Sequence, residues 1–303
     1  ALAALALALG SAACSSSTLP APVVAHKPPD AAPVRLGEGA GGGPCSRLSV
    51  TRVAHASVLL DFDGAYVLTD PWFSEKSAYH HGEPLGLALS ELPPLTAVVA
   101  SHAHYDHFDI ETFAAYPDKR VPFFVGPDMM EAARAGGFTN VRELSPWQSA
   151  SAGPLTITGA PGAHGVDEVT FVLEGKGRRV YFGGDTKLIP ELAEVHRRFP
   201  AIDLALLPVN GLHILPAFNQ QVVMSADEAA RLAGQLAAEV AVPTHYAFRG
   251  SWATEAFVLR RDGSPERFVE AARRAAPATR VRVLPPGQRL TIERCLAPAV
   301  DQG

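Results

Sequence analysis

The segment 98–109, VVASHAHYDHFD, limits more than any other what this chain can fold into. The apolar run 97–100 predicts a buried strand, which ends abruptly at Ser101. The polar turn that follows contains His102, His104, Asp106 and His107. Imidazole and carboxylate groups are ligands that zinc and similar cations prefer, and alternate residues of an extended segment point the same way. The first two histidines can therefore bind one ion, while the aspartate and third histidine can face a second. The alternative is a solvated polar loop, but this spacing after an apolar strand favours a metal site.

Composition restricts the classes of protein to which the chain can belong. Of its 303 residues, 47% are hydrophobic and 19% are charged, which is typical of a globular protein with a substantial core. A net charge of -5 gives no indication of a nucleic-acid-binding surface, so no nucleic-acid partner is expected. No internal run is long and apolar enough to span a bilayer, so any membrane attachment must come from an end of the chain.

The amino-terminal residues 1–14 are typical of a bacterial lipoprotein signal. Residues 1–10, ALAALALALG, are almost wholly apolar, and small residues then lead to Cys14. We therefore expect a signal-peptide remnant with a lipobox, and export to the periplasm or as an outer-membrane lipoprotein. A lipidated Cys14 would be the only membrane attachment. Ser11 stands where a lipobox usually has leucine, which leaves cleavage without lipidation as the alternative.

Residues 15–46 predict a disordered tether, because serine, proline, alanine and glycine with few large apolar side chains cannot bury enough surface to fold. The folded domain is expected over residues 47–296, with a short tail at 297–303. Cys45 and Cys295 bracket this domain, and in an oxidising compartment they could form a disulfide between its two ends. Two unrelated thiols are the alternative.

Local signals predict parts of the domain. Asp63-Gly64 between two apolar runs predicts a β-hairpin, and Ser225 with Glu228 predicts a capped helix start. His80 and His81 are expected to face solvent in the irregular segment 72–94. The segment 248–263, which contains several arginines, favours a solvated loop.

Three further predicted strands end in loops with a ligand-type residue. The side chains concerned are His164, Asp185 and His245. Small residues or proline flank each of them and permit sharp turns and close backbone approach. Any one of them alone would more commonly be a surface or hydrogen-bonded group. Together with the first cluster they give five histidines and two aspartates, enough for two metal ions with an open position for water.

These motifs resemble the metallo-β-lactamase superfamily over residues 48–294. The resemblance implies an α/β (α+β) chain with the metallo-β-lactamase fold, a four-layer αββα sandwich of two mixed β-sheets flanked by helices. Within the superfamily, HASVL at 55–59, LTDP at 68–71 and GGDT at 183–186 look most like one branch. That branch contains the N-acyl-phosphatidylethanolamine phospholipase D-like and ascorbate-phosphate lactonase-like enzymes.

The resemblance also implies a role for each metal-binding residue. The first ion would be held by His102, His104 and His164. The second would be held by Asp106, His107 and His245. Asp185 would bridge the two ions, and Asp70 would orient a ligand histidine from outside the ligand set. The cofactors are expected to be two divalent ions, with Zn²⁺ as the first expectation and Mn²⁺ or Fe²⁺ as alternatives.

Two cations that share a water lower its pKa toward neutrality, so the expected reaction is hydrolysis of a phosphodiester or a lactone-type ester by hydroxide. Asp106 and Asp185 are the candidate catalytic residues, because they would fix the cations and offset their charge. A small-molecule or lipid-like substrate would be contacted by His55, His213 and Tyr246, although a structural role for His55 is equally compatible with the sequence. The alternative from another class is a non-catalytic metal- or ligand-binding lipoprotein on the same fold.

Overall fold

The computed structural model describes residues 22–36, 45–76 and 79–295. The predicted signal remnant with Cys14, the tail 297–303 and parts of the predicted tether lie outside these ranges. Within the described ranges, no helix has both the length and the apolar character needed to cross a membrane.

The described residues form twenty strands and six α-helices. In chain order the strands are β1 (Val34–Leu36), β2 (Cys45–Ala54), β3 (Ser57–Phe62), β4 (Ala65–Thr69), β5 (Tyr79–His80), β6 (Ala97–Ala100), β7 (Phe123–Val125), β8 (Val141–Glu143), β9 (Ser149–Ala152), β10 (Leu155–Pro161), β11 (Val169–Gly175), β12 (Arg178–Phe182), β13 (Leu204–Pro208), β14 (Leu212–Ile214), β15 (Gln220–Gln221), β16 (Val240–Thr244), β17 (Arg249–Gly250), β18 (Leu259–Arg261), β19 (Arg280–Val281) and β20 (Arg289–Cys295). The helices are α1 (Ile110–Phe113), α2 (Met130–Ala135), α3 (Ala193–Arg198), α4 (Ala226–Gln235), α5 (Trp252–Phe257) and α6 (Pro265–Ala275).

Two large mixed sheets form the centre of the domain. The first has the order β1-β20-β2-β3-β4-β6-β7-β8, and the second has the order β19-β16-β13-β12-β11-β10-β9. The main core lies between them, where Val58 and Val99 of the first sheet share one apolar cluster with Phe171 and Leu206 of the second. Burial of these inner faces is the principal driving force for joining the sheets.

Helices cover the outer face of each sheet. Ala229 of α4 and Phe268 of α6 pack with the outer face of the second sheet. Phe113 of α1 and Ala133 of α2 pack with the outer face of the first. The predicted four-layer αββα sandwich is therefore confirmed.

The predicted turn and cap are formed as the local sequence requires. Asp63 and Gly64 both have left-handed backbone conformations, with φ of 51° and 95°, and they close the β3–β4 hairpin. Ser225 Oγ accepts from Glu228 N, and the Glu228 carboxylate accepts from Ser225 N at 2.8 Å, which completes the capping box of α4.

Part of the predicted tether instead belongs to the folded domain. In residues 22–36, β1 pairs in parallel with β20, so that Val34 lies opposite Ile292. Val34 and Leu36 are each only 3% exposed. Ala31 N also donates to Arg289 O at 2.8 Å. The composition of this segment is poor in apolar residues, but two well-placed ones suffice to extend an existing sheet edge.

Two further predictions are affected by packing and pairing. Cys45 and Cys295 lie opposite each other in the antiparallel β2–β20 pair, with Cα atoms 4.0 Å apart, and they form a disulfide. Of the two alternatives for these cysteines, a disulfide or two unrelated thiols, the structure therefore contains the disulfide. The segment predicted as a solvated loop contains β17, α5 and β18, and Arg261 forms an ion pair with Glu255 at 2.5 Å.

Candidate metal centre

The candidate site lies where strands of both sheets end at one edge of the sandwich. Each of five site residues follows a strand: Asp70 follows β4, His102 follows β6, His164 follows β10, Asp185 follows β12 and His245 follows β16. His55 lies in the turn between β2 and β3. His55, Asp70 and His245 have positive φ angles of 52°, 34° and 56°. Such backbone is unfavourable for residues other than glycine and is concentrated at functional sites.

The first group of predicted ligands is formed by three histidines. Metal-binding atoms of His102, His104 and His164 all lie within 4.8 Å of one another. His104 Nδ1 is 2.9 Å from His102 Nε2 and 3.3 Å from His164 Nε2. His164 Nδ1 lies 2.7 Å from the carbonyl oxygen of Val222. Because a carbonyl can only accept, Nδ1 carries the proton and Nε2 presents its lone pair to the other two histidines.

The second group is fully buried and contains one residue more than predicted. Metal-binding atoms of His55, Asp106, His107 and His245 lie within 4.8 Å of one another. Asp106 Oδ2 is 3.0 Å from His55 Nε2, 3.5 Å from His107 Nε2 and 4.0 Å from His245 Nε2. The four side chains thus converge through the atoms that bind metals.

Asp185 lies between the two groups. Its Oδ2 is 2.8 Å from His245 Nε2 and 3.2 Å from His107 Nε2, both in the second group. The same oxygen is 3.8 Å from His164 Nε2 and 4.0 Å from His102 Nε2, both in the first. One carboxylate oxygen therefore faces imidazoles of both groups, which is the position that a bridging ligand requires.

Asp70 holds the cluster in place from behind. Its carboxylate accepts hydrogen bonds from Ser101 N and Ser101 Oγ, each at 2.8 Å. It also lies 2.5 Å from His107 Nδ1. Since Nδ1 must donate to the carboxylate, Nε2 of His107 is left to face the cluster, as expected for an orienting residue.

Two neighbours of the cluster were not identified from the sequence. Glu168 accepts from Asp185 N at 2.6 Å and lies 3.6 Å from His102 Nδ1. Burial raises the pKa of Glu168 well above its usual range. Tyr79 donates its hydroxyl to Asp106 Oδ2 at 2.9 Å. Neither residue belongs to a local pattern, because each reaches the site only through the tertiary fold.

Several of the imidazoles have lowered pKa values, which keep them in the neutral form that binds metals. Burial lowers the pKa of His55 to about 3 and the pKa of His164 to about 4. Burial, together with the neighbouring imidazoles, also holds the pKa of His102 well below its usual range. These rings are neutral at pH 7, so each has a nitrogen lone pair available for a cation.

The pKa values of His107, Asp185 and Asp106 are shifted in the direction opposite to the one that burial alone would produce. Burial favours a low pKa for His107, but the carboxylates of Asp185, Asp106 and Asp70 outweigh it and raise that pKa well above its usual range. Burial would likewise raise the pKa of Asp185 and Asp106, but His107 and other imidazoles outweigh it and hold both well below their usual range. Both aspartates are therefore ionised at neutral pH.

The donor set fits divalent cations. Several buried atoms of the cluster lack a hydrogen-bond partner, which is rare in folded proteins. Among the residues that the structure describes, they include His245 Nδ1, Asp185 Oδ1 and His55 Nδ1. Nitrogen and carboxylate oxygen donors in this combination suit zinc and other divalent transition metals.

The three predicted substrate contacts lie in different surroundings. His55 lies inside the second ligand group, and its side chain is 0% exposed. His213 lies 3.2 Å from Asp262 through Nε2, outside both ligand groups. The ring of Tyr246 lies 4.4 Å from the guanidinium of Arg52. Contact with a substrate stays a prediction for these residues.

The expectation that His81 faces solvent is wrong. Its side chain is buried, with Nδ1 3.0 Å from Glu75 Oε1 and Nε2 3.2 Å from the carbonyl oxygen of Trp72. A local sequence without apolar periodicity gave no signal for this burial.

Known proteins resemble the chain in sequence. The family described as "Beta-lactamase superfamily domain" matches residues 65–246. An uncharacterized protein of Mycobacterium tuberculosis is 31% identical over 82% of this chain and 70% of its own length. N-acyl-phosphatidylethanolamine-hydrolyzing phospholipase D 1 of Caenorhabditis elegans is 26% identical over 72% of this chain and 68% of its own. A metal-dependent hydrolase of Deinococcus radiodurans is 29% identical over 80% of this chain and 98% of its own.

Solved structures resemble it in fold. A metallo hydrolase from the hyperthermophilic archaeon Ignicoccus hospitalis superposes with a TM-score of 0.61 at 21% identity. That alignment covers 81% of this chain and 98% of the archaeal chain. The predicted resemblance is thus confirmed: the chain belongs to the beta-lactamase superfamily and is a metal-dependent hydrolase.

Proposed function

We propose that this chain hydrolyses a phosphodiester bond in a lipid-like substrate with the help of two divalent cations, Zn²⁺ in the first instance. The observation that carries the proposal is the position of Asp185 Oδ2, within 4.0 Å of imidazole nitrogens in both ligand groups. The name of the C. elegans relative, which hydrolyses N-acyl-phosphatidylethanolamine, supports a phosphodiester over a lactone.

The two ligand groups divide the cations between them. One would be held by His102, His104 and His164, and the other by Asp106, His107 and His245. Asp185 would contact both. When bound, such cations supply Lewis-acid chemistry, because they polarise a phosphoryl oxygen and lower the pKa of water.

The residues of the chain orient and balance this centre. Asp106 and Asp185 are ionised, so they offset part of the positive charge that two divalent cations would add. Asp70 keeps His107 Nε2 directed into the cluster by accepting from its Nδ1. Glu168 accepts a hydrogen bond from the backbone nitrogen of Asp185 and so holds the backbone from which the Asp185 side chain extends. Preorganised groups of this kind need little rearrangement when charge develops during reaction.

Exposed aromatic side chains near the site support a lipid-like substrate. Phe218 is 99% exposed in the β14–β15 hairpin, and Trp252 and Phe257 on α5 are 79% and 65% exposed. This hairpin is attached to the site through Val222, whose carbonyl oxygen accepts from His164. It is joined to α5 through Leu215 N, which donates to Val258 O at 2.9 Å. Exposed tryptophan and phenylalanine suit the boundary between water and acyl chains.

The experiment begins with protein made metal-free and then supplied with Zn²⁺, Mn²⁺ or Fe²⁺. Turnover is measured on a chromogenic phosphodiester, on vesicles that contain N-acyl-phosphatidylethanolamine, and on a lactone panel. We expect cation-dependent turnover of both phosphodiester substrates, and equal activity in His26→Ala, which replaces an exposed histidine outside the site. Turnover of lactones alone would contradict the phosphodiester assignment. A metal-loaded protein inactive on every substrate would favour the non-catalytic alternative.

A second measurement tests the lipid-like substrate separately. Trp252→Ser with Phe218→Ser should raise KM on vesicles while the chromogenic phosphodiester is hydrolysed as before. Val283→Ser, which changes a 42% exposed apolar residue elsewhere, serves as the matched control. Equal KM values on vesicles for all three proteins would contradict the role of the aromatic side chains.

We also propose that the protein is exported, with Cys14 as the lipidation site. The disulfide between Cys45 and Cys295 supports export, because disulfides persist mainly in oxidising compartments. Cell fractionation, with mass analysis of the mature amino terminus, tests this. A cytosolic protein with an unprocessed leader would contradict it.

A further inference from the structure

We infer that His55 is a direct ligand of the second cation, in addition to Asp106, His107 and His245. This inference rests on the metal centre of the proposed function. It departs from both sequence-based alternatives for His55, a substrate contact and a structural histidine. It also gives the second cation one more protein nitrogen than the ligand set predicted from the sequence.

The first argument is the position of the ring. His55 Nε2 lies 3.0 Å from Asp106 Oδ2. Its ring centroid is 4.1 Å from that of His245 and 5.1 Å from that of His107. All four side chains offer a ligand atom within a 4.8 Å limit. Ligands bound at about 2.1 Å to one tetrahedral ion lie about 3.4 Å apart, so the observed spacing is that of a coordination sphere.

The second argument is that His55 has no other polar partner. Its side chain is 0% exposed, Nδ1 has no hydrogen-bond partner in the described part of the chain, and Nε2 lies 3.0 Å from Asp106 Oδ2, an atom of the same ligand group. Trp72 and Phe248 pack edge-on against it, with centroids at 5.1 Å and 5.2 Å, and aromatic walls accept no conventional hydrogen bond. The polar surroundings of His55 therefore lie within the ligand group itself.

The third argument is the backbone that aims the ring inward. His55 has a φ of 52°, and the pairing of β2 with β3 shifts register between Arg52 and Ala54. Such bulges redirect side chains and recur next to active sites. His55 O also accepts from His245 N at 3.4 Å, which ties the loops of the two histidines together. A strained conformation is retained where the surrounding structure requires it.

The competing role is that of a positioning residue, in which His55 only donates to Asp106. To separate the two, we would replace His55 with cysteine and load the protein with Co²⁺. Cysteine is itself a metal ligand, so His55→Cys should produce a thiolate-to-cobalt charge-transfer band in the near ultraviolet that wild-type protein lacks. His81→Cys, a buried histidine outside both ligand groups, should not produce it. A folded, cobalt-loaded His55→Cys protein without the band would overturn the inference.

His55→Gln gives a thermodynamic readout. Glutamine can still donate to Asp106 but binds these cations poorly. We therefore expect competition with a chelator to show more than about 100-fold weaker binding of the second cation, beyond the 10–100-fold typical of orienting residues. Wild-type affinity in His55→Gln would favour the positioning role and overturn the inference.

The wild-type protein provides a test that needs no variant. It would be labelled with ¹⁵N-histidine, loaded with ¹¹³Cd²⁺, and the imidazole rings coupled to cadmium counted by NMR. Six coupled rings support the inference, since the two ligand groups contain six histidines. Five coupled rings with two bound cations would overturn this inference alone. A protein that takes up no divalent cation would overturn the proposed function as well.

Discussion

Removal of the Cys45–Cys295 disulfide is expected to lower the free energy of unfolding by about 5 kcal/mol. The two cysteines are 250 residues apart in the chain. In the chain-entropy treatment, opening a loop of that length returns about 19 cal/mol/K to the unfolded chain, which is between about 5 and 6 kcal/mol at 25 °C. Folded domains have a total stability of about 5–15 kcal/mol, so this one bond would account for a large part of it.

The folded structure indicates where this effect would arise. β20 pairs with β2 over seven residue pairs and with β1 on its other side, so its position in the sheet does not depend on the disulfide. We therefore expect the native state of Cys295→Ser to keep its fold, while its unfolded state gains freedom and expands. The urea m-value should rise accordingly, because a larger surface becomes exposed on unfolding.

The assay is urea unfolding of metal-free wild-type protein, Cys295→Ser and the double variant Cys45→Ser/Cys295→Ser. Metal-free protein is used because cation binding would add its own stabilisation. Ser46→Ala, at the position after Cys45 in β2, is the matched control and should stay within about 0.5 kcal/mol of wild type. A loss below about 1 kcal/mol, or free thiols at both positions in unfolded, unreduced protein, would refute the reasoning.

Three further predictions concern the metal centre. Asp185→Asn should reduce the bound metal from about two ions toward one and lower turnover at least about 100-fold, because an amide replaces the carboxylate that faces both ligand groups. Elemental analysis and initial rates measure these changes. Two bound ions with full activity would refute the prediction. Asp70→Ala should weaken cation binding about 10–100-fold, since His107 loses the acceptor that orients it; competition with a chelator measures this, and unchanged affinity would contradict it. The pKa of His164, about 4 in the folded protein, lies below the usual 6.5, so the metal-free folded state binds fewer protons than the unfolded chain between these values. The contribution of neutral His164 to the free energy of unfolding, about 3 kcal/mol, should be complete above pH 6.5 and lost as the pH falls toward 4. Urea unfolding of His164→Gln at several pH values should therefore show a smaller loss of stability over this range than the wild-type protein. An equal loss in the two proteins would argue against the prediction.

Those residues of the candidate site that lie in a local pattern could be identified from the sequence. His102, His104 and Asp106 follow directly on a buried strand, so their spacing and environment are both visible in a short segment. His164, Asp185 and His245 could be grouped because each follows its own predicted strand, and the resemblance to the superfamily assigned their roles.

The remainder depends on packing between distant segments. Glu168 reaches Asp185 from the residue before β11, and Tyr79 reaches Asp106 from the two-residue strand β5, so neither contact has a local signal. The burial of His55 follows from the aromatic side chains of Trp72 and Phe248, which come from elsewhere in the chain. Composition likewise could not show that Val34 and Leu36 complete the edge of a sheet.

The ligand residues are supplied by two different layers of the sandwich. His55 and the cluster after β6 belong to the first sheet, whereas His164, Asp185 and His245 extend from the second. Cations held between them would therefore act as cross-links between layers that are otherwise joined by apolar packing and a few polar contacts, such as Arg294 with Asp203. Metal removal should then increase hydrogen exchange at the strand ends of both sheets together, while the opposite edge stays protected. The centre that performs the chemistry would also set how far the two layers can separate.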